Sequence, residues 1–317
     1  MILRRKKSAE NLNPEPIEIS VAESVHESPI NAVDFHELER IVEGRHHDPH
    51  GILGAHLHKG HVVFRTIKPF AISVVVVSDG IRLPLTHEHR GIWVGALEAE
   101  TIPDYRIESR YDDEVFTNDD AYRFLPTLGE MDLHLIREGR HEQLADALGA
   151  RVVRYDSPLG QISGTSFAVW APNAQGVQVV GDFNHWDGTA HPMRSLGSSG
   201  VWEVFIPGVG HGYNYKFRVT DQHGYQSDKA DPLARHSEVP PSTASIVWES
   251  SYEWQDNTWI EQRSSTDNRF TAMSIYEVHL GSWRLGLGFR DVAIQLRDYV
   301  LDHGFTHVEF MPLAQHP

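Results

Sequence analysis

From about residue 60 to residue 235 the chain is written in short runs that alternate apolar and polar side chains, each closed by a turn signal. The runs fall into two sets. The first holds "VVFRTIKPFAISVVVVSDG", "GIWVGALEAE", "DYRIESRYDDEVF" and "NDDAYRFLP"; the second holds "TSFAVWAPNAQGVQVVGDFN", "GVWEVFIPGV", "NYKFRVTDQHGYQ" and "SDKADPLAR". Alternation with period two predicts half-buried strands. The two sets also keep step with each other. Pro69 and Pro172, like Val77 and Val180, are offset by 103 residues, and Gly91 with Trp93 reappears as Gly200 with Trp202 at 109. Tyr105 and Tyr215 follow at 110, then Asp119 and Asp228 at 109. One short insertion near "DFNHWDG" accounts for the drift. A duplicated all-β module is the expectation, each copy a small sandwich.

Helical spacing takes over at three places. In 31–44 Phe35, Leu38, Ile41 and Val42 recur on one face and Gly44 closes the run. Residues 131–150 read as a helical connector, with Leu144 and Leu148 four apart and Gly149 as its stop. From 273 the pattern is strand, helix, strand: "MSIYEVHLGSW" ending at Gly281, "GFRDVAIQLRDYVLDHG" stopped by Gly304, then "THVEFMPL". The helix places Phe289, Val292, Ala293, Leu296, Tyr299 and Val300 on one face. The two strands start 31 residues apart, the size of one βαβ unit. The expected organisation is a disordered tail over 1–31, a β-sandwich over 32–130, the connector 131–150, a second sandwich over 151–250, a linker over 251–271, and a new domain from 272 to 317.

Composition narrows the partners. A formal charge of −16 speaks against nucleic acid and anionic membrane, because phosphate binding needs a basic face. The absence of cysteine excludes a disulfide framework and thiolate metal sites. The basic start "MILRRKKSAENLNPEP" has no apolar stretch behind it, so no signal peptide is expected. No run approaches the ~18 apolar residues of a membrane span. A cytoplasmic, monomeric protein is the expectation.

Candidate chemistry is sparse. His46, His47, His50 and His56 invite a metal, yet they lack acidic residues at ligand spacing. They read instead as a turn with histidine tips at the surface, and neither metal nor cofactor is expected. "VVGDFNHWDG" puts Asn184 and Trp186 in a loop after a strand, and Lys216 lies on the following hairpin. An indole can stack on the apolar face of a sugar while amides and amines bind its hydroxyls, which makes these three the carbohydrate-binding candidates. The competing reading packs Trp186 into its own sandwich, as Trp170 and Trp202 are expected to do. Glu277 and Glu309 look like a carboxylate pair, but both sit in mid-strand, whereas barrel enzymes place catalytic groups at strand ends and beyond. No phosphate loop or nucleophile elbow occurs. No catalytic residue is assigned.

The segments "HHDPHGILGAH", "SFAVWAPNAQGVQVVGDFNHWDG", "YNYKFRV", "DKADPLA", "SIYEVHLGSWR" and "GFTHVEFMPLAQHP" closely resemble the N-terminal half of bacterial glycogen branching enzymes of glycoside hydrolase family 13, especially the actinobacterial kind. The resemblance runs from about residue 34 to 317. It implies immunoglobulin-like sandwiches, the second a family-48 carbohydrate-binding module, then the first strands of a (β/α)8 barrel beginning near Ala272. It also implies α-1,4-glucan as partner. Chemistry would be retaining transfer to a 6-hydroxyl through a covalent glycosyl-enzyme intermediate. The resemblance puts the nucleophile, acid/base and stabilising carboxylates after the fourth, fifth and seventh barrel strands. A barrel takes ~250 residues, so none of them falls in this chain. Gln315 stands where the resemblance expects Glu. Trp186 and Lys216 match positions that bind glucan in some modules of this type.

The sequence therefore reads as the N-terminal portion of a branching enzyme, incomplete at the barrel and inactive alone. The alternative is a stand-alone glucan-binding or structural protein with a degraded barrel remnant. The apolar character of "VEFMPL" and of the helix before it favours the first, since unpaired strands are an aggregation liability that a stand-alone binder would have shed.

Overall fold

The computed structural model describes residues 28–313. The predicted tail up to residue 27, and Gln315 with its neighbours from 314 onward, lie outside the described residues.

The first helix, Phe35–Val42, forms where the pattern places it. The Asp34 carboxylate accepts the His36 N–H at 2.7 Å at its start, and Leu38, Ile41 and Val42 are buried. Gly44, at φ 67°, turns the chain out of the helix. Two four-stranded antiparallel sheets follow. One orders Gly54–His58, His61–Ile67, Ile92–Glu98 and Thr86–His89; the other orders Ile81–Pro84, Ser73–Ser78, Arg106–Tyr111 and Glu114–Asn118. Val62 and Phe64 of one sheet meet Val74, Val76 and Ile107 of the other in a shared core.

The second module repeats the plan. One sheet runs Arg194–Ser195, Val201–Pro207, Ile162–Trp170, Gly149–Tyr155. The other pairs Gly176–Gly181 with Asn214–Thr220, which Gln226–Lys229 and Ser245–Ile246 flank. Phe167, Val169, Trp202 and Val204 face Val177, Val179, Tyr215 and Phe217 across its core. The repetition extends to single bonds. The Lys68 N–H donates to the Gly91 carbonyl at 2.7 Å, and the Ala171 N–H to that of Gly200 at 2.8 Å. The Trp93 indole donates to the Lys68 carbonyl and the Trp202 indole to the Ala171 carbonyl.

The modules pack on each other. A Cβ at Gly176 would lie 1.8 Å from the Gly44 carbonyl oxygen, so backbone meets backbone there. Tyr122 of the first module donates to the carbonyls of Ala190 (3.0 Å) and Pro192 (3.3 Å) in the second. Arg194 donates twice to buried Glu203, at 2.8 and 2.9 Å, and once to the Phe124 carbonyl at 3.0 Å. Thr127 supplies Glu203 with its remaining donors, so this buried charge pair is fully hydrogen-bonded.

Past residue 256 packing thins. The strand Ile275–Val278 runs parallel to His307–Phe310, and the helix Phe289–Asp302 crosses between them. Val278, Leu296 and Val300 form the buried centre of this βαβ piece. Gly304, at φ 72°, ends the helix as expected.

Several expectations need correction. The connector is not one helix: Glu130–Arg137 ends at Gly139 (φ 67°), and only Leu144–Ala147 is helical after it. Gly149 opens a strand instead of closing a helix. Trp170 is 57% exposed, unlike buried Trp202. Alternation explains this: Phe167 and Val169 point into the sandwich, so Trp170 falls on the other face. The strand before Gly281 ends at Val278. Phe289 and Ala293 are exposed, leaving a narrower helical stripe than the period suggests. Finally, His50 is not a surface tip but is buried against Tyr122.

Candidate functional site

The loop after the strand Gly176–Gly181 is shaped by its own side chains. Asn184 accepts the Gly181 N–H at 2.9 Å, donates to the Val179 carbonyl at 2.9 Å, and meets His191 Nδ1 at 2.9 Å. That uses its amide oxygen and both amide hydrogens in folding the loop. Asn184 is therefore a builder of the site, and the reason is geometric: the tight turn brings its amide back onto the strand it follows. His185 and Trp186 then take left-handed φ values of 54° and 61°, unusual for residues with side chains.

That backbone decides the position of Trp186. Its ring is half-buried, and it is absent from the sandwich core among the described residues, where Phe183 takes the place next to Phe167. The indole N–H donates to Asp182 at 3.1 Å, which fixes the ring at the surface. Lys216 lies opposite Val180 on the neighbouring strand, half-exposed, its amine donating to Thr243 Oγ1 at 2.7 Å.

Two further residues belong here that sequence reasoning missed. Arg218 is two positions beyond Lys216, hence on the same face, and reaches the Trp186 carbonyl at 3.4 Å. It also forms a two-pronged pair with Asp228, at 2.8 and 3.0 Å. Period-two spacing from Lys216 was the available signal. The Arg218 bonds hold the Asp228 carboxyl below its ordinary range, with the Lys216 charge adding to the effect. The surface thus offers one immobilised aromatic ring, an amine, a guanidinium and a carboxylate. Its carboxylates are engaged: Asp228 by Arg218, Asp182 by the indole and by the Asn214 N–H at 3.1 Å. Such a set can hold a polyhydroxylated ligand, and it has no spare acid and base to break a bond.

The four histidines do not converge. His46 pairs with Glu37 at 2.7 Å, His47 lies against Trp202, and His56 bonds the Leu53 carbonyl at 2.9 Å. No group of three or more potential ligands able to hold a metal occurs among the described residues. Glu277 and Glu309 are direct cross-strand partners, both exposed, where like charges repel. No helix among the described residues is long and apolar enough to cross a membrane.

Residues 147–234 match the family model of carbohydrate-binding module 48 (isoamylase N-terminal domain), so the chain is of the class that carries such a module on a β-sandwich. Residues 34–122 match the N-terminal domain of the alpha-1,4-glucan branching enzyme GlgB. The chain is 56% identical over 283 residues to the 1,4-alpha-glucan branching enzyme GlgB of Thermobifida fusca (strain YX), covering 89% of this chain and 38% of that protein. It is 51% identical over 289 residues to the GlgB of Kitasatospora aureofaciens, covering 91% and 37%. Over the portion it spans, the chain matches the N-terminal part of GlgB branching enzymes. It spans a little over a third of the length of these curated relatives. The solved pullulanase type I of Bacillus subtilis str. 168 with maltose aligns at a TM-score of 0.38 and 17% identity, over 83% of this chain and 38% of that one.

Proposed function

We propose that this chain is the N-terminal, glucan-holding portion of a branching enzyme that cuts α-1,4-glucan and transfers the segment to a 6-hydroxyl. The divisions foreseen above serve as its domains. An immunoglobulin-like module over 32–130 and a family-48 module over 151–250 lead, through the connector 131–150 and the linker 251–271, into the start of a (β/α)8 barrel from 272. The catalytic carboxylates that the resemblance implies have no counterpart in these 317 residues, so the chain by itself does not branch glucan. It acts in the cytoplasm as a monomer, on glucan and without cofactor.

The observation that carries the glucan reading is the Trp186 ring, held at the surface by Asp182 and excluded from a core that Phe183 fills. Lys216 and Arg218 stand on the adjoining face as N–H donors to sugar hydroxyls, and Asn184 keeps the loop in shape. Titration with maltoheptaose tests it: Trp186→Ala should weaken binding at least about tenfold while melting stays unchanged. Undiminished binding by that variant would remove the assignment. On amylose the 317-residue chain should leave the iodine stain unshifted, and a shift would overturn its inactivity.

A further inference from the structure

A groove follows the seam between the two modules, on residues that the Trp186 surface does not use. It consists of two clefts of about 550 and 650 Å³, within the size range of ligand sites. His50 and Arg194 line both, so the clefts adjoin across these two side chains. Apolar side chains from both modules line the first: Leu125, 83% exposed, and Ile102, 47% exposed, together with Pro158. Phe124 adds a half-exposed ring that cannot swing away, stacked on Tyr155 at 5.5 Å and edge-on to Phe205 at 4.6 Å.

The floor has an unmet demand. His50 is only 9% exposed, and both of its ring nitrogens are buried without a hydrogen-bond partner. Native folds seldom leave such atoms unpaired without a role for them. Burial, with the charge of Arg194 and the neighbouring His56, pushes its pKa down to about 2. The imidazole is therefore neutral, presenting one donor and one acceptor. Of the ionic groups around it, Arg194 pairs with Glu203 and Arg123 with Asp104, and the other charges lining the clefts, Asp48, Asp156 and Arg137, are of both signs. An ion would find little to attract it. A neutral chain with apolar faces and many hydroxyls would find rings and aliphatic side chains at the rim, and hydrogen-bonding capacity below.

We propose that this seam groove is a second oligosaccharide-binding site, in which a linear α-glucan lies across both modules with Phe124, Leu125 and Ile102 as its platform and His50 as its polar floor. The identity of the ligand rests on the glucan reading above; the groove and its orphaned imidazole do not. The site spans the joint, so it exists only while the two modules are docked.

Hydrogen exchange of the full chain with and without maltoheptaose tests the proposal. Protection is expected at 102–105, 122–126 and 156–157, in addition to 181–188. Leu125→Asp, a change at an exposed position, should abolish the first three and raise the groove's Kd at least about tenfold, sparing the last. Trp186→Ala should do the reverse. Protection confined to 181–188 would sink the groove and leave the Trp186 surface standing. Groove protection alone would do the opposite, and no protection anywhere would remove both. Groove protection that survives Leu125→Asp, or binding weakened tenfold by about 0.5 M salt, would also overturn the assignment, the latter because a neutral ligand is not screened.

Discussion

The hydroxyl of Tyr215 donates to the buried carboxylate of Asp231 at 2.5 Å, and Tyr105 repeats the bond to Asp120 at 3.0 Å in the other module. Each aspartate also takes the N–H two residues on, Leu233 at 2.8 Å and Tyr122 at 3.2 Å. Opposite each turn stands a glycine at positive φ. A Cβ on Gly149 would lie 3.2 Å from the Leu233 carbonyl oxygen, and one on Gly54 would lie 2.6 Å from that of Tyr122. In both copies this motif ties the segment leaving the last hairpin back to the first strand. Burial pushes the tyrosine pKa values up, so the proton stays on the phenol and the carboxylate accepts.

Tyr215→Phe should therefore destabilise the chain by about 1–3 kcal/mol, because it leaves Asp231 buried with one donor fewer. Urea denaturation reads this directly. Adding Asp231→Asn to Tyr215→Phe should recover part of the loss, since a neutral amide is cheaper to leave short of partners than a carboxylate. A double variant less stable than Tyr215→Phe alone would contradict it.

Gly176→Ala acts at the joint. Its methyl group cannot coexist with the Gly44 carbonyl at 1.8 Å, so the modules must separate locally or the strand must shift. The expected cost is about 1–3 kcal/mol, as for overpacking. Calorimetry should show one thermal transition broadening or dividing into two as the modules uncouple, whereas an unchanged single transition would mean that the seam yields cheaply.

Acid should weaken the fold through its desolvated histidines. Burial pushes His50 down to about 2 and His191 to about 3, while an unfolded imidazole titrates near 6.5. Below pH 6.5 the unfolded chain binds protons that the native state refuses. Stability is thus intact above 6.5 and lost as pH falls toward the folded values, by up to about 1.4 kcal/mol per pH unit per histidine. Asp120 and Asp231, whose pKa values burial raises, work the other way and make the loss shallower at lower pH. Melting temperature should fall between pH 7 and 5, and a rise over that interval would refute the account.

Local stability should also be uneven. Among the described residues the βαβ piece buries only Val278, Val292, Leu296 and Val300, while Ile275 and Phe310 are exposed. Amides of 275–278 and 307–310 should exchange at least about a hundredfold faster than those of 165–169, because opening them disrupts few contacts. Equal protection in the two places would show a cooperative unit larger than this packing suggests.

Much of the architecture was legible along the chain, and the reason is local. Alternation marks strands whose two faces see different solvents, and landmarks such as Pro69 with Gly91 and Pro172 with Gly200 recur because both copies close the same backbone contact. The landmark Asp119 with Asp228 was a near miss: the aspartates that play the same part are Asp120 and Asp231. Spacing cannot tell which of two nearby carboxylates turns inward.

The site was half legible. Trp186 and Lys216 could be picked out by chemistry and position, but the amide of Asn184 turning inward depends on how tightly the loop folds. Arg218 needed the strand pairing before its reach to Trp186 could be seen. Helix, strand and turn follow mostly from near neighbours in the chain, and the residue order placed most of them and the duplication, while it misread the connector and Gly149. The burial of His50 and the groove along the seam arise where two modules distant in sequence press together. Which side chains they cover or leave open is set by the meeting of surfaces, and no local pattern encodes that meeting.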